Sequence, residues 1–297
     1  MSLLSQNFIT LIIGNSRLHW GYFQNRQLIT TWNTNHLEKA ITDLPTALFP
    51  REVIDDTSSY QGDNFIKSNN LFSVPIPPSP PFIKGRSFSE DWGDQFSLNN
   101  LPVYIASVVS KQTQLWDDYP HKKIITLEDI PLTNTYATLG VDRALCVYGA
   151  GETYGYPVLV IDGGTALTYT AVGKEYNFLG GAILPGLRLQ LRALNQNTAA
   201  LPQVSLPDTL PQLWGDSTKS AIASGVIHTI ISGIDNYLTA WWEQFPQGKV
   251  ILTGGDGLLL QQFLQEKSLF CGNKTLVDQT LMFQGMAKLI TNHLCRT

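Results

Sequence analysis

The chain carries little charge. Lys, Arg, Asp and Glu make up 15% of its 297 residues and leave a net charge of −4 at neutral pH. No basic excess is available to neutralise a phosphate backbone, so a nucleic-acid partner is not expected. Cysteine is scarce as well. Cys146, Cys271 and Cys295 stand far apart, with no C-x-x-C pair, so neither a zinc ribbon nor a disulfide framework is encoded, and reduced thiols are the plain reading. No run of 18 apolar residues occurs, so no helical membrane span and no membrane partner are expected. Residues 1–6 lack a basic n-region, and the apolar stretch Phe8–Ile13 is short and stops at Gly14-Asn15. It reads as a strand and not as a signal peptide, which implies a cytoplasmic protein. The two common nucleotide fingerprints, G-x-x-x-x-G-K-[ST] and G-x-G-x-x-G, are both missing, which argues against P-loop and Rossmann chemistry.

Apolar residues are plentiful, at 43%, and the length suits two domains with packed cores. Phe8–Ile13 and Leu18–Phe23 read as two strands around a tight turn. Leu37, Ala40, Ile41 and Leu44 recur at spacings of three and four, predicting a helix over His36–Leu48. Val74-Pro75-Ile76-Pro77-Pro78-Ser79-Pro80-Pro81 cannot support a central strand or helix, so residues 50–100 read as a proline-rich surface insertion. Further strands are predicted at Pro102–Val109, Val158–Ile161, Leu167–Val172 and Lys249–Thr253. Helices are predicted at Val141–Tyr148, around Leu187–Leu194, at Ser217–Trp241, at Leu258–Leu264 and at Leu281–Leu294. Strands alternating with helices make the class α/β.

A weak internal repeat lies within this pattern. Ile12-Ile13-Gly14-Asn15-Ser16 and Asp162-Gly163-Gly164-Thr165 each end an apolar strand, and each opens a second strand a few residues on. The repeat predicts two similar domains facing each other across a cleft. Together with Thr253-Gly254-Gly255, three glycine turns follow buried-type strands. Turns of this kind let backbone N–H groups approach phosphate oxygens, although most glycine turns only reverse the chain. On residues alone, Asp142-Arg143 at a helix start reads equally as an acidic first-turn residue and a surface arginine. Tyr136 reads as loop packing, Thr198 as a helix-end residue, and His19 and His228 as packed histidines.

The order of these motifs resembles the acetate and sugar kinase, Hsp70 and actin superfamily, and in detail it is similar to type III pantothenate kinases. The matching stretches are Ile12–Ser16, Gly140-Val141-Asp142-Arg143, Asp162-Gly163-Gly164-Thr165-Ala166, Gly180-Gly181-Ala182-Ile183-Leu184-Pro185-Gly186 as a turn, Thr198-Ala199-Ala200-Leu201-Pro202 and Thr253-Gly254-Gly255-Asp256. They cover most of the chain outside residues 50–100. The resemblance implies two actin-like (ribonuclease H-like) domains around a nucleotide cleft, residues 1–140 and 141–297. It implies ATP-dependent phosphorylation of pantothenate to 4′-phosphopantothenate, the first step of coenzyme A biosynthesis, with Mg²⁺ and a monovalent cation (K⁺ or NH₄⁺), in a homodimer whose second subunit completes the pantothenate pocket.

Carried onto this sequence, the resemblance makes Asp142 the general base and Arg143 the holder of the pantothenate carboxylate. Gly140, Val141, Tyr136 and Thr198 line the substrate pocket. ATP lies along Ile12, Ile13, Gly14, Asn15, Ser16, Arg17, Leu18 and His19, against Thr165 and the glycines Gly254 and Gly255. Asp162 holds the monovalent cation. Two positions depart from the family pattern. Ile12 stands where the family has an aspartate near the metal, and Thr170 stands where the family often has an acidic residue. Isoleucine cannot ligate a hard cation. The resemblance therefore leaves two other outcomes open: a catalytically impaired accessory protein of the same fold, and another small-molecule kinase of the superfamily.

Overall fold

A computed structural model describes residues 7–51, 53 and 101–294. The proline-rich segment at 74–81 and Cys295 lie outside the described residues. The fold below belongs to the compact unit built from the described residues up to Thr42 and from Leu101 onward.

Two five-stranded sheets repeat one topology. In the first, β1 (Phe8–Ile13) pairs antiparallel with β2 (Leu18–Gln24), and β2 pairs antiparallel with β3 (Gln27–Thr34). On its other edge β1 runs parallel to β4 (Val103–Ser107), which runs parallel to β5 (Lys122–Ile125). A short helix, α1 (Ser110–Gln114), lies between β4 and β5. The second sheet repeats this order with β6 (Val158–Gly163), β7 (Ala166–Val172), β8 (Phe178–Pro185), β9 (Lys249–Thr253) and β10 (Leu276–Val277). β6 is antiparallel to β7 and parallel to β9, β7 is antiparallel to β8, and β9 is parallel to β10. The expected two-part α/β, actin-like architecture is therefore present, with β1 and β6 as equivalent central strands.

Two helices join the sheets. α2 (Val141–Tyr154) and α7 (Leu281–Leu294) share one apolar cluster with Phe8, Ile12, Phe23 and Ala106 of the first sheet and Val158, Val160, Val172 and Ile251 of the second. They approach backbone to backbone: a Cβ at Gly149 would lie 2.8 Å from Gly285 N, so only glycine fits there. Each aliphatic side chain buried in such a cluster contributes about 1.5–3 kcal/mol. The other face of the second sheet is covered by α3 (Leu187–Gln196), α4 (Thr218–Gln244) and α5 (Gly257–Lys267), whose Leu187, Leu191, Ile227, Ile231, Leu238, Phe263 and Leu264 pack on Ile161, Leu167 and Leu252. A further short helix, α6, spans Leu269–Lys274. No helix among the described residues is long and apolar enough to cross a membrane.

Three sequence expectations change. His36–Leu48 is not a helix. Only a 3₁₀ turn at Thr46–Leu48 forms, although Ile41 and Leu44 are buried as the spacing required. Pro45 is the reason: it disfavours helical backbone at Leu44 and supplies no N–H to an i−4 carbonyl. The Gly180–Gly186 motif, expected as a turn, is mostly strand β8, and only Gly186 lies beyond it. Strands β3, β5 and the two-residue β10 were not anticipated. β3 alternates exposed and half-buried residues without an apolar run, and β5 has only four residues.

Candidate active site

The three glycine turns meet at the ends of the central strands. In the β1–β2 turn, Gly14 N–H donates to Arg17 O at 3.1 Å, and in the β6–β7 turn Gly164 N–H donates to Ala166 O at 3.2 Å. The hydroxyls of Ser16 and Thr165, one from each turn, are hydrogen-bonded at 3.0 Å across 149 residues of sequence. The third turn, between β9 and α5, is hooked onto β6 by Asp256 N–H donating to Gly163 O at 2.9 Å. Gly254 has φ +79°, and a Cβ there would run into the Asp162 carboxylate. Glycine is therefore required twice over, by backbone conformation and by space. Gly186, the N-cap residue of α3, donates to Thr165 O at 2.9 Å and ties the start of α3 to the second turn.

The first turn has a polar lining but no carboxylate. Asn15, Ser16 and Arg17 are exposed, while the side chains of Ile12, Ile13 and Leu18 are buried. Only backbone groups of those three can face a ligand. His36 Nε2 donates to Gly14 O at 2.8 Å and braces the turn. His19 Nδ1 is bonded to Asn33 Oδ1 at 2.7 Å, and burial lowers its pKa, so the neutral ring dominates at pH 7. His228 sits away from this surface and donates to Pro211 O at 2.8 Å.

Asp142 and Arg143 open α2. Gly140 is the N-cap residue, and a Cβ on it would lie 2.5 Å from Asp142 Oδ1, so the glycine makes room for the carboxylate to fold back. Asp142 Oδ1 accepts the Arg143 backbone N–H at 2.8 Å. Burial raises the Asp142 pKa above the ordinary carboxylate value, against the opposing hydrogen bond and the Arg143 charge. Such a carboxylate is a better proton acceptor than an exposed one. Arg143 is only 8% exposed. Its guanidinium donates from Nε to Thr170 Oγ1 at 3.1 Å, from Nη1 to Tyr136 Oη at 2.8 Å and from Nη2 to Tyr169 O at 2.8 Å. Tyr136 is half-exposed and packs edge-on against Phe178.

Asp162, at the end of β6, is the second carboxyl of the site. Burial and the Asp142 charge push its pKa up to about 6. The two carboxyls therefore belong to one electrostatic site. Among the described residues no group of three or more His, Cys, Asp or Glu could hold a metal ion. Asp162 is the buried carboxyl oxygen available to a hard cation beside the glycine turns.

The Thr198 hydroxyl donates to Leu194 O at 2.7 Å at the end of α3. One residue of the surface went unnoticed in the sequence. Arg188, in the first turn of α3, donates to the buried Asp256 carboxylate at 3.1 Å and ties α3 to the third turn. A cation at a helix N-terminus opposes the helix dipole, and that was the available signal.

The chain is similar to several known proteins. A family model described as type III pantothenate kinase matches residues 88–240. A type III pantothenate kinase of Nostoc sp. is 39% identical over 289 residues, covering 97% of this chain and 95% of the relative. Another, from Synechocystis sp., is 36% identical over 285 residues, covering 95% of this chain and 90% of the relative. Among solved structures, MreB5 of Spiroplasma citri bound to ADP has a TM-score of 0.47 at 11% identity, covering 98% of this chain and 99% of that one.

Proposed function

The chain belongs to the type III pantothenate kinase family, and on that premise we propose the roles its residues play in moving the γ-phosphate of ATP onto pantothenate. The activity is that of a kinase of coenzyme A biosynthesis, with ATP as donor and pantothenate as acceptor. The observation that carries the residue assignment is the Asp142–Arg143 pair beside the joined Ser16 and Thr165 turns.

Asp142 accepts the proton of the pantothenate primary hydroxyl as that oxygen attacks the γ-phosphorus. Its raised proton affinity supports the role. The Gly14–Ser16 and Gly163–Thr165 turns, with the Ser16 and Thr165 hydroxyls, receive the phosphates. Gly254 and Gly255 border the adenosine. Positioning of this kind does most of the work in phosphoryl transfer. Arg143 binds the substrate carboxylate through charge-assisted hydrogen bonds. Mg²⁺ bound with ATP would supply charge neutralisation at the phosphates, and Asp162 would hold the monovalent cation.

Residues 1–140 and 141–297 act as the two halves of the cleft. The enzyme works as a cytoplasmic homodimer in which Thr198 reaches the pocket of the partner subunit. Within one chain the Thr198 hydroxyl is spent on Leu194 O, and free Cys146 and Cys271 suit a reducing compartment.

The test is turnover with ATP, Mg²⁺, K⁺ and pantothenate. Asp142→Asn should retain pantothenate binding and lose about 10²-fold or more in turnover, the usual scale for a positioned base. Near-normal turnover would remove Asp142 from the base role. ATP binding without any pantothenate-dependent turnover in the wild type would favour the accessory-protein reading that Ile12 keeps open.

A further inference from the structure

The two hairpins differ in what faces the turn glycine. In the second, a Cβ on Gly164 would lie 3.4 Å from Asp162 Oδ1. In the first, a Cβ on Gly14 would lie 3.5 Å from His19 Nε2, while the residue matching Asp162 is the buried Ile12. The register explains the exchange. His19 on β2 stands opposite Ile12 on β1, so the two side chains share one face of the sheet. An imidazole nitrogen therefore takes the place beside the first turn that a carboxyl oxygen takes beside the second. The ring is also fixed in one tautomer. Nδ1 lies 2.7 Å from the Oδ1 of Asn33, its partner on β3. An amide oxygen only accepts, so Nδ1 carries the proton, and Nε2 of the neutral ring presents a lone pair. Among the described residues nothing donates to that lone pair: Gly14 gives its N–H to Arg17 O, and His36 gives its Nε2–H to Gly14 O. Burial holds the ring neutral against the Asn33 hydrogen bond, and the Arg17 charge adds to that effect. Ile12, Gly14 and Asn33, the neighbours from β1 and β3, carry no charge.

We propose that His19 is a phosphate-binding residue that becomes charged only with ATP in place: binding draws one proton from solvent onto Nε2, which donates it to a phosphate oxygen. A bare lone pair beside the turn would repel a phosphate oxygen, because both can only accept. An anion within hydrogen-bond reach favours the imidazolium, so the phosphates themselves supply the driving force. The Nδ1–H bond to Asn33 needs no rearrangement, since the imidazolium donates from both nitrogens. The proton balance is simple: the ring gains one proton from water, and no covalent bond of ATP changes. The complex holds a proton that the free protein lacks, so ATP affinity must fall as pH rises, by up to about tenfold per pH unit. The inference rests on the reading that the two hairpins receive the phosphates of ATP, and it adds the proton that accompanies them.

The experiment titrates the wild type and His19→Gln with ATP and Mg²⁺ in a calorimeter, without pantothenate, at pH 7.5 in two buffers of different ionisation enthalpy. The difference in heat between buffers counts the protons taken up. Subtracting the variant removes any proton gained by Asp162 or by the nucleotide. The wild type should take up at least about half a proton more per ATP than His19→Gln. Between pH 7 and 8 its Kd for ATP should rise about threefold or more beyond any rise in the variant. Equal proton counts in the two proteins, or equal pH dependence of their affinities, would overturn the proposal. Should His19→Gln fail to give a cooperative melting curve, ¹⁵N spectra of the wild type with labelled histidine decide the matter. On adding ATP at pH 7.5, one ring nitrogen should move from the unprotonated to the protonated range, and the absence of that change overturns the proposal equally. Adenosine separates the two levels. If adenosine binds as tightly as ATP, the hairpins do not grip phosphates and the underlying reading fails. If ATP binds far more tightly than adenosine while wild type and variant take up the same number of protons, only the role of His19 fails.

Discussion

The β1–β2 and β6–β7 hairpins are the same piece of architecture with different chemistry. Each ends a buried central strand, turns on glycine and offers a hydroxyl, and the two hydroxyls touch at 3.0 Å. Two residues ahead of the turn glycine, the first hairpin has Ile12 and the second has Asp162. Ile12 is 1% exposed and packs in the apolar cluster that α2 and α7 share with both sheets. Asp162 occupies the matching place on β6 and carries a carboxyl raised to about 6 by burial and by Asp142. A duplicated backbone does not duplicate a charge. The first hairpin can offer phosphates N–H groups, the Ser16 hydroxyl, the Asn15 amide and the Arg17 guanidinium but no carboxylate, and all the carboxylate chemistry of the site lies on the second half and the start of α2.

The contrast is broken most forcefully by Ile12→Asp. If the Ile12 side chain belongs to the core, an unpaired aspartate there costs several kcal/mol, and the melting temperature should fall by roughly 5–10 degrees. The Mg²⁺ concentration for half-maximal rate should stay where it is. If the position faces the phosphates instead, the variant will melt near the wild-type temperature and need less Mg²⁺, because a hard anionic ligand has been added. A melting curve and a Mg²⁺ titration of the rate read the two alternatives separately.

Asp162 sharpens the same comparison through pH. An unfolded aspartate titrates near 3.9, and the folded carboxyl titrates at about 6, so the native state binds the proton more tightly. The stability this confers is complete below about pH 4 and is lost as pH rises through about 6, by about 3 kcal/mol at most. Asp162→Asn should flatten that part of the stability–pH curve and be the more stable protein at pH 7.5. If Asp162 holds a monovalent cation, K⁺ should recover much of the loss in the wild type above pH 6 and do nothing for the variant. Denaturant midpoints at pH 5 and 7.5, with K⁺ or with a bulky organic cation, measure this. A wild type and variant with parallel pH curves would show that the carboxyl is not strained by burial.

Most of the architecture was legible because its signals were local. The runs Phe8–Ile13 and Val158–Ile161, the stripe of Ile222, Val226, Ile230, Ile234 and Leu238, and the repeated glycine turn all reappear as elements. The failures were of two physical kinds. At His36–Leu48 a correct burial pattern was read as a helix while Pro45, inside the window, forbade it. At β3 and β5 the strand owes its existence to a neighbouring strand and not to its own hydrophobicity. The site was legible only in part. Asp142, Arg143 and Asp162 could be named from motifs, and Ser16 and Thr165 were named singly. That those two hydroxyls meet, that Thr170 orients Arg143 and that Arg188 pairs with Asp256 are contacts between residues 27 to 149 positions apart. One sequence without relatives contains no sign of such pairings.

The smallest expected effect tests whether the two hairpins act as one. Ser16 and Thr165 share a single exposed hydrogen bond, worth about 0.5–1 kcal/mol when both partners are neutral. Removing either hydroxyl deletes that same bond. Ser16→Ala and Thr165→Ala should therefore each lower stability by less than about 1 kcal/mol, and the double variant should lose scarcely more than either single one. The effect on ATP should follow a different rule. If each hydroxyl also faces the phosphates, each substitution removes a separate donor, and the increases of a few-fold in KM for ATP should multiply in the double variant. Stability would then be non-additive and nucleotide affinity additive in the same three proteins. If stability losses simply sum, the two hydroxyls do not hold the hairpins together. If KM for ATP moves only with Thr165, the first hairpin serves the fold alone, and the phosphate site belongs to the second half.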